Sequence, residues 1–207
     1  MISASAFLGI AAVSLVMVLT PGPNMMYLIS RSLIQGRRAG LISLMGIAVG
    51  FFIYLIAAIG GITTVFTLVP ALYTTIKIAG AVYLLWIAWN TVRPSGQSIF
   101  TPRELPVDPP RKLLAMGVMT TLFNPKIAIM YVSLLPQFVN PKEGHVGTQS
   151  LILGLIQISI SLVIDAVYVL TASVMATFLG ERPKWMQIQR YLMGILLAAF
   201  GLRIAVA

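Results

Sequence analysis

Long apolar blocks, separated by short polar and mostly basic connections, set the layout of this chain. The first block covers 4–34, is interrupted by Pro21-Gly22-Pro23-Asn24, and ends in a basic cluster of Arg31, Arg37 and Arg38. The next run, 39–76, holds no charge and is too long for one membrane crossing at about 1.5 Å per residue. Thr67-Leu68-Val69-Pro70 offers a turn within it, with proline opening the helix that follows. The pattern therefore predicts helices at about 40–67 and 71–92. A polar segment of mixed charge, 93–112, contains Pro94, Pro102, Pro106, Pro109 and Pro110 and is expected to act as a flexible hinge. Beyond it come a helix at about 113–136 interrupted by Asn124-Pro125-Lys126, a loop at 140–147, and helices at about 149–178 and 185–205. Six crossings result, an all-α membrane fold in one transmembrane domain spanning 1–207.

Composition supports the bilayer as solvent. Hydrophobic residues make up 58% of the chain and charged residues 9%, and mean hydropathy is +0.95. Soluble domains carry about 25% charged residues, so a water-soluble fold of this size could not hide so much apolar surface. Each crossing needs about 20 apolar residues, which leaves no room for a separate soluble domain. The uncharged segment 1–30 lacks the basic start and small-residue cleavage site of a secretory signal.

The net charge of +9 reads as a topology signal rather than as nucleic-acid affinity. Arg37, Arg38, Arg93, Arg103, Arg111, Lys112, Arg182 and Lys184 all fall in the one-two, three-four and five-six connections. The alternate connections hold Lys142. The basic set is expected on the cytoplasmic side, which puts both termini outside. Lys77 and Arg203 fall near the outer helix ends, where long stems can snorkel. With no cysteine, thiol redox chemistry, cysteine metal sites and disulfides are excluded. His145 is expected in a solvated loop, and the scattered methionines form no soft-metal cluster. No cofactor and no metal are implied.

Three crossings before the linker and three after it imply halves of opposite orientation, 4–92 and 113–205. The first helix of each half carries a proline break. Paired interruptions in corresponding helices of inverted repeats point to a substrate site at their interface. Gly80 to Trp86 weakly echoes Gly194 to Phe200. Proline removes an amide donor and displaces a carbonyl one turn back, and in hydrocarbon the freed groups need partners. Half-helix ends suit a carboxylate at one end and an ammonium at the other. An amino acid carries both. A kink that only shapes packing is the competing reading.

Lys126 and Asp165 are expected near mid-membrane on consecutive helices, where charge is expensive unless paired or wet. They could form a structural salt bridge, or Asp165 could carry a coupling proton while Lys126 holds a substrate carboxylate. Asn24 and Asn124 could cap half-helices or bind substrate, and Thr20, Thr120, Thr121 and Tyr131 share their depth. Gly46, Gly50, Gly60 and Gly61 suggest close helix approach.

The two signatures, Pro21-Gly22-Pro23-Asn24 with Gly36-Arg37-Arg38-Ala39-Gly40-Leu41, and Asn124-Pro125-Lys126 with Pro136-Gln137-Phe138, resemble those of the lysine exporter (LysE) superfamily. The likeness covers nearly the whole chain and is nearest to the homoserine/threonine-resistance branch, RhtB. It implies efflux of amino acids or related metabolites across the bacterial inner membrane, coupled to protons. It also implies a transport core of Pro21, Pro23, Asn24, Asn124, Pro125, Lys126 and Asp165. A nonselective channel is the alternative. An intramembrane enzyme is a weaker one, because no nucleophile, metal or cofactor motif accompanies Lys126 and Asp165. A homo-oligomer is left open.

Overall fold

A computed structural model of the protein describes residues 2–20, 22–68 and 107–180, with isolated positions between 78 and 89 and between 188 and 202. Most of the predicted helices at 71–92 and 185–205 and of the 93–112 linker lies outside the described residues, as do Pro21, Lys77 and Arg203. Among the described residues the secondary structure is entirely helical.

Helix α1, Ala4–Leu19, starts at Ser3, whose hydroxyl accepts from the Ala6 amide at 3.1 Å. Its 16 residues extend roughly 24 Å, short of a hydrocarbon core of about 30 Å. The helix is therefore too short to cross alone, and at its end Thr20 turns the backbone to an extended conformation. Helix α2, Pro23–Leu68, restarts with proline at its first position, where the missing amide donor costs nothing. Its 46 residues would run roughly 69 Å if straight, twice the apolar thickness. Gly36 divides it: φ is +82° and ψ 171°, a conformation open to glycine alone. The expected connection between 34 and 40 is thus a single reversed glycine, with helix resuming at once.

The second broken helix comprises α3, Pro110–Leu122, and α4, Pro125–Ile129, which runs on as a wide turn at Met130–Leu134 and a tight one at Leu135–Phe138. The direction changes by 55° across the break. Helix α3 begins inside the predicted linker because Pro110 takes its first position. The long helix α5, Val146–Gly180, follows a loop stapled by Gln149. Its side chain accepts from the Asn140 amide at 2.9 Å and donates to the Gly144 carbonyl at 2.7 Å. By length and composition Pro23–Gly61 and Val146–Ala172 can each cross a membrane, and the bent pair would make a third span.

Helix α2 lies against both α3 and α5, and α1 against α5. Leu28, Ile47, Phe51, Leu55, Tyr131 and Leu153 fill the core, while Met45, Phe52, Ile56, Val163 and Val174 face outward. Helices apolar on both faces suit a lipid surround. Gly46 and Gly117 bring α2 and α3 into backbone contact: a Cβ on Gly117 would stand 2.4 Å from the Ser43 carbonyl oxygen, and one on Gly46 2.2 Å from that of Leu114. Lipid tails match side chains in polarity, so such close packing supplies much of the attraction between helices. Gly50 makes room for the Thr121 side chain, and a Cβ added at Gly60 or Gly61 would meet nothing within 4 Å among the described residues.

A buried charge cluster ties the end of the linker to α2. Arg31 pairs with Asp108, and Lys112 reaches the same carboxylate at 2.6 Å. Gln35 accepts from the Asp108 amide at 3.0 Å, and the Arg31 guanidinium lies over the Tyr27 ring, 5.6 Å from its centre. At this end the expected hinge is fastened. Lys112 holds the Asp108 carboxyl below the usual carboxylate range, Arg31 and Gln35 act in the same sense, and burial opposes them.

Two outcomes follow from this packing. Gly117→Val should lower the melting temperature of detergent-purified protein by driving Cβ into the Ser43 carbonyl, an overpacking cost of about 1–3 kcal/mol. Ile56→Ala, on the outward face, should leave the melting temperature nearly unchanged. A depressed carboxyl stabilises the folded chain above the unfolded value, about 4, and that contribution vanishes as pH falls through the folded value. Asp108→Asn should therefore melt earlier than the parent at pH 7, with the difference shrinking below about pH 4.

Candidate functional site

The two helix breaks meet. Asn24, in the first turn of α2, accepts from the Asn124 side-chain amide at 3.1 Å and donates to Thr121 Oγ1 at 3.3 Å. Thr121 in turn donates to the Gly117 carbonyl at 3.1 Å. Asn124 caps α4, its Oδ1 accepting from the Lys126 amide at 3.0 Å. The expected capping role therefore holds for Asn124, whereas Asn24 bridges to the other break. All three side chains are buried, where an unpaired amide would be costly. The bridge spans 100 positions of sequence and locks the two interruptions in register.

Lys126 reaches through the crossing to the end of α1. Its ammonium donates to the carbonyls of Met17 and Thr20, each at 2.7 Å. The last carbonyls of any helix lack intrahelical donors. Here Val16 accepts from the Thr20 amide and hydroxyl, Met17 from Lys126, and Val18 from the Tyr168 hydroxyl at 3.4 Å. A cation at this end also meets the negative pole of the helix. Gly22 makes the route possible, since a Cβ there would stand 2.8 Å from Nζ.

Asp165 sits on α5 with 2% of its surface exposed. It lies within electrostatic reach of Lys126, yet the two are not among the ion pairs of the described residues. The direct salt bridge expected as one possibility is thus replaced by an ammonium held on carbonyls with a carboxylate nearby. Along the same face of α5, at intervals of four, stand Ser161 and Gln157. Gln157 donates to Ser161 at 2.9 Å and accepts from the Tyr131 hydroxyl. Tyr131 stacks on Tyr54 with ring centres 5.6 Å apart. This polar row was missed in the sequence, although four-residue spacing of Gln157, Ser161 and Asp165 in an apolar helix is a readable signal.

Of the other expected site residues, Pro23 and Pro125 occupy the first positions of α2 and α4 and fix the restarts. Pro21 lies outside the described residues. Among the described residues no group of three or more His, Asp or Glu gathers as metal ligands would.

A chain whose described residues fold entirely as helices, with apolar outer faces and a buried, charged crossing of two broken helices, belongs to the polytopic membrane proteins built around an internal polar site. More particularly, the LysE type translocator family model matches residues 15–207. The chain belongs to that family and is a translocator rather than an enzyme. It is 25% identical over 192 residues to the leucine efflux protein of Klebsiella pneumoniae, covering 91% of this chain and 89% of the relative. The leucine efflux protein of Salmonella typhimurium is 26% identical over 188 residues, with the same coverage. The membrane protein YrhP of Bacillus subtilis is 27% identical over 214 residues, covering 96% of each chain. No solved structure matches.

The bridge between the breaks has a measurable signature. Asn124→Ala should cost about 1 kcal/mol for the lost cap and about 1–3 kcal/mol for the Asn24 oxygen left without its donor. Asn124→Ser should recover the first part only. In a double-mutant cycle the effects of Asn24→Ala and Asn124→Ala on thermal stability should be strongly non-additive.

Proposed function

We propose that this chain exports amino acids or closely related small polar metabolites across the bacterial inner membrane, driven by protons through alternating access. The observation that carries this reading is the Lys126 ammonium seated on the α1 carbonyls with Asp165 in electrostatic reach. A charged centre where two helices break is what a carrier of zwitterions needs. In this reading Asn24, Asn124 and Lys126 contact substrate, Pro21, Pro23 and Pro125 shape the breaks, and Asp165 exchanges the proton.

The full architecture we infer is six crossings in two inverted halves, 4–92 and 113–205, with both termini outside. The distribution of basic residues supports that orientation, and the contact between the two breaks supports the pairing of the halves. Uncharged amino acids with aliphatic or hydroxylated side chains are the favoured substrates. The relatives named for leucine efflux and the motif likeness to the RhtB branch both point that way.

Proteoliposomes loaded with a mixture of the twenty amino acids should release a subset when a pH gradient is imposed, leucine and threonine being the first to examine. Release of none of them would sink the export reading. Asp165→Asn should transport at a rate that no longer responds to the gradient. A variant as sensitive as the parent would remove Asp165 from coupling.

A further inference from the structure

Two main-chain carbonyls that converge on one ammonium, deep in the protein, form a receptor for a primary ammonium group. We propose that the carbonyls of Met17 and Thr20 are the subsite for the α-ammonium of an amino acid, and that Lys126 is its built-in occupant when no substrate is bound. This rests on the export reading above and names the atoms that would receive the substrate.

Lysines that cap helix C-termini usually belong to the last turn of the same helix. Lys126 instead comes from 106 to 109 positions away, on a separate broken helix. Its contact therefore joins two elements that can part, and its flexible stem lets the ammonium withdraw without moving either backbone. The receptor itself persists without the lysine, because the carbonyls are the unpaired end of α1 and must find a donor. The empty side of Gly22 leaves space at Nζ and little more. Met17 and Thr20 are both buried, which excludes bulk water as a ready substitute.

A zwitterion solves the exchange electrostatically. When the substrate ammonium takes the two carbonyls, the displaced Lys126 ammonium can pair with the substrate carboxylate. No buried charge is stranded, as stranding one would be strongly unfavourable. An amine without a carboxylate displaces Lys126 and offers it no partner. A carboxylate without an amine cannot displace it. Lys126 thus acts as an internal competitor that selects for molecules carrying both groups and lowers the apparent affinity for amines alone.

Titration of purified protein with leucinol, the amine lacking a carboxylate, isolates this competition. Lys126→Met removes the competing ammonium at similar side-chain length, and leucinol should bind about tenfold more tightly than to the parent. Adding Gly22→Ala to that variant puts a Cβ 2.8 Å from where Nζ sat, crowds an ammonium there and should reverse the gain. No tightening in Lys126→Met, or tightening that survives Gly22→Ala, would overturn the subsite; the second result would mean that Asp165 alone attracts the amine. The parent protein provides a readout free of folding effects: leucine should displace leucinol, and 4-methylpentanoate, the carboxylate lacking the amine, should not. Equal displacement by both would also overturn the proposal. Failure of the export reading is separable, since it shows as absence of amino-acid release from proteoliposomes whatever leucinol does.

Discussion

The Lys126 ammonium on the open end of α1 is the constraint around which the described structure is arranged. A lysine far from water is stable only if its charge finds partners, and a helix that ends inside a membrane is stable only if its last carbonyls do. Each defect answers the other. Helix α1 can stop, and α4 can start, where each does because the other helix is broken beside it. The prolines supply the restarts, Gly22 clears the path of the side chain, and the Asn24–Asn124 bridge keeps the two breaks level.

Around this centre the attractions are of two kinds. Helix α2 beyond Gly36 meets α3 backbone to backbone at Gly46 and Gly117, and Gly50 receives the Thr121 side chain. Helix α5 closes on α2 at Gly154, which accommodates the Leu55 side chain: a Cβ there would stand 2.2 Å from a Leu55 methyl. The crossing itself is held by hydrogen bonds, which a ligand or water can exchange one for one. Packing of the first kind suits a frame, and bonding of the second suits the part that must open.

The breaks, the buried charges and the apolar outer faces were legible in the sequence because each violates or fulfils a rule of the bilayer: proline in an apolar run, lysine and aspartate within one, and length set by membrane thickness. Partnership was not legible. Nothing in Asn24 and Asn124 distinguishes a cap from a bridge, since both roles use the same amide. The choice is made by which helix passes alongside. For Lys126 and Asp165 a direct pair stood as one of two readings because opposite charge is visible in one dimension, while the carbonyls that compete for the ammonium belong to every residue and leave no mark in composition. Gly36 was read as part of a basic loop, because a left-handed residue that interrupts helix for a single position has the same sequence appearance as a longer turn. The anchoring of Asp108 by Arg31 was hidden by its place in a proline-rich segment that otherwise suggests a hinge.

The segment of α2 between Pro23 and Gly36 joins the two kinds of attraction. At one end Asn24 bonds to Asn124 and Thr121; toward the other Tyr27 donates to the Leu113 carbonyl at 2.7 Å and Arg31 pairs with Asp108. Its polar contacts thus reach both ends of α3. Its apolar residues Met25 and Ile29 pack on Tyr168 and Ala172 of α5. Gly36 turns its axis away from the rest of α2, to which it stays tied where Gly40 packs on Ser32 and Ser43 donates to the Tyr27 hydroxyl at 3.1 Å. The segment is held to its neighbours largely by exchangeable hydrogen bonds, where the α2–α3 seam is held by backbone packing. Asn124 caps the helix that carries Lys126 and also holds Asn24, so the segment and the lysine's helix share one anchor. Asn124 is thus the side chain that touches both the helix carrying Lys126 and the segment carrying Asn24.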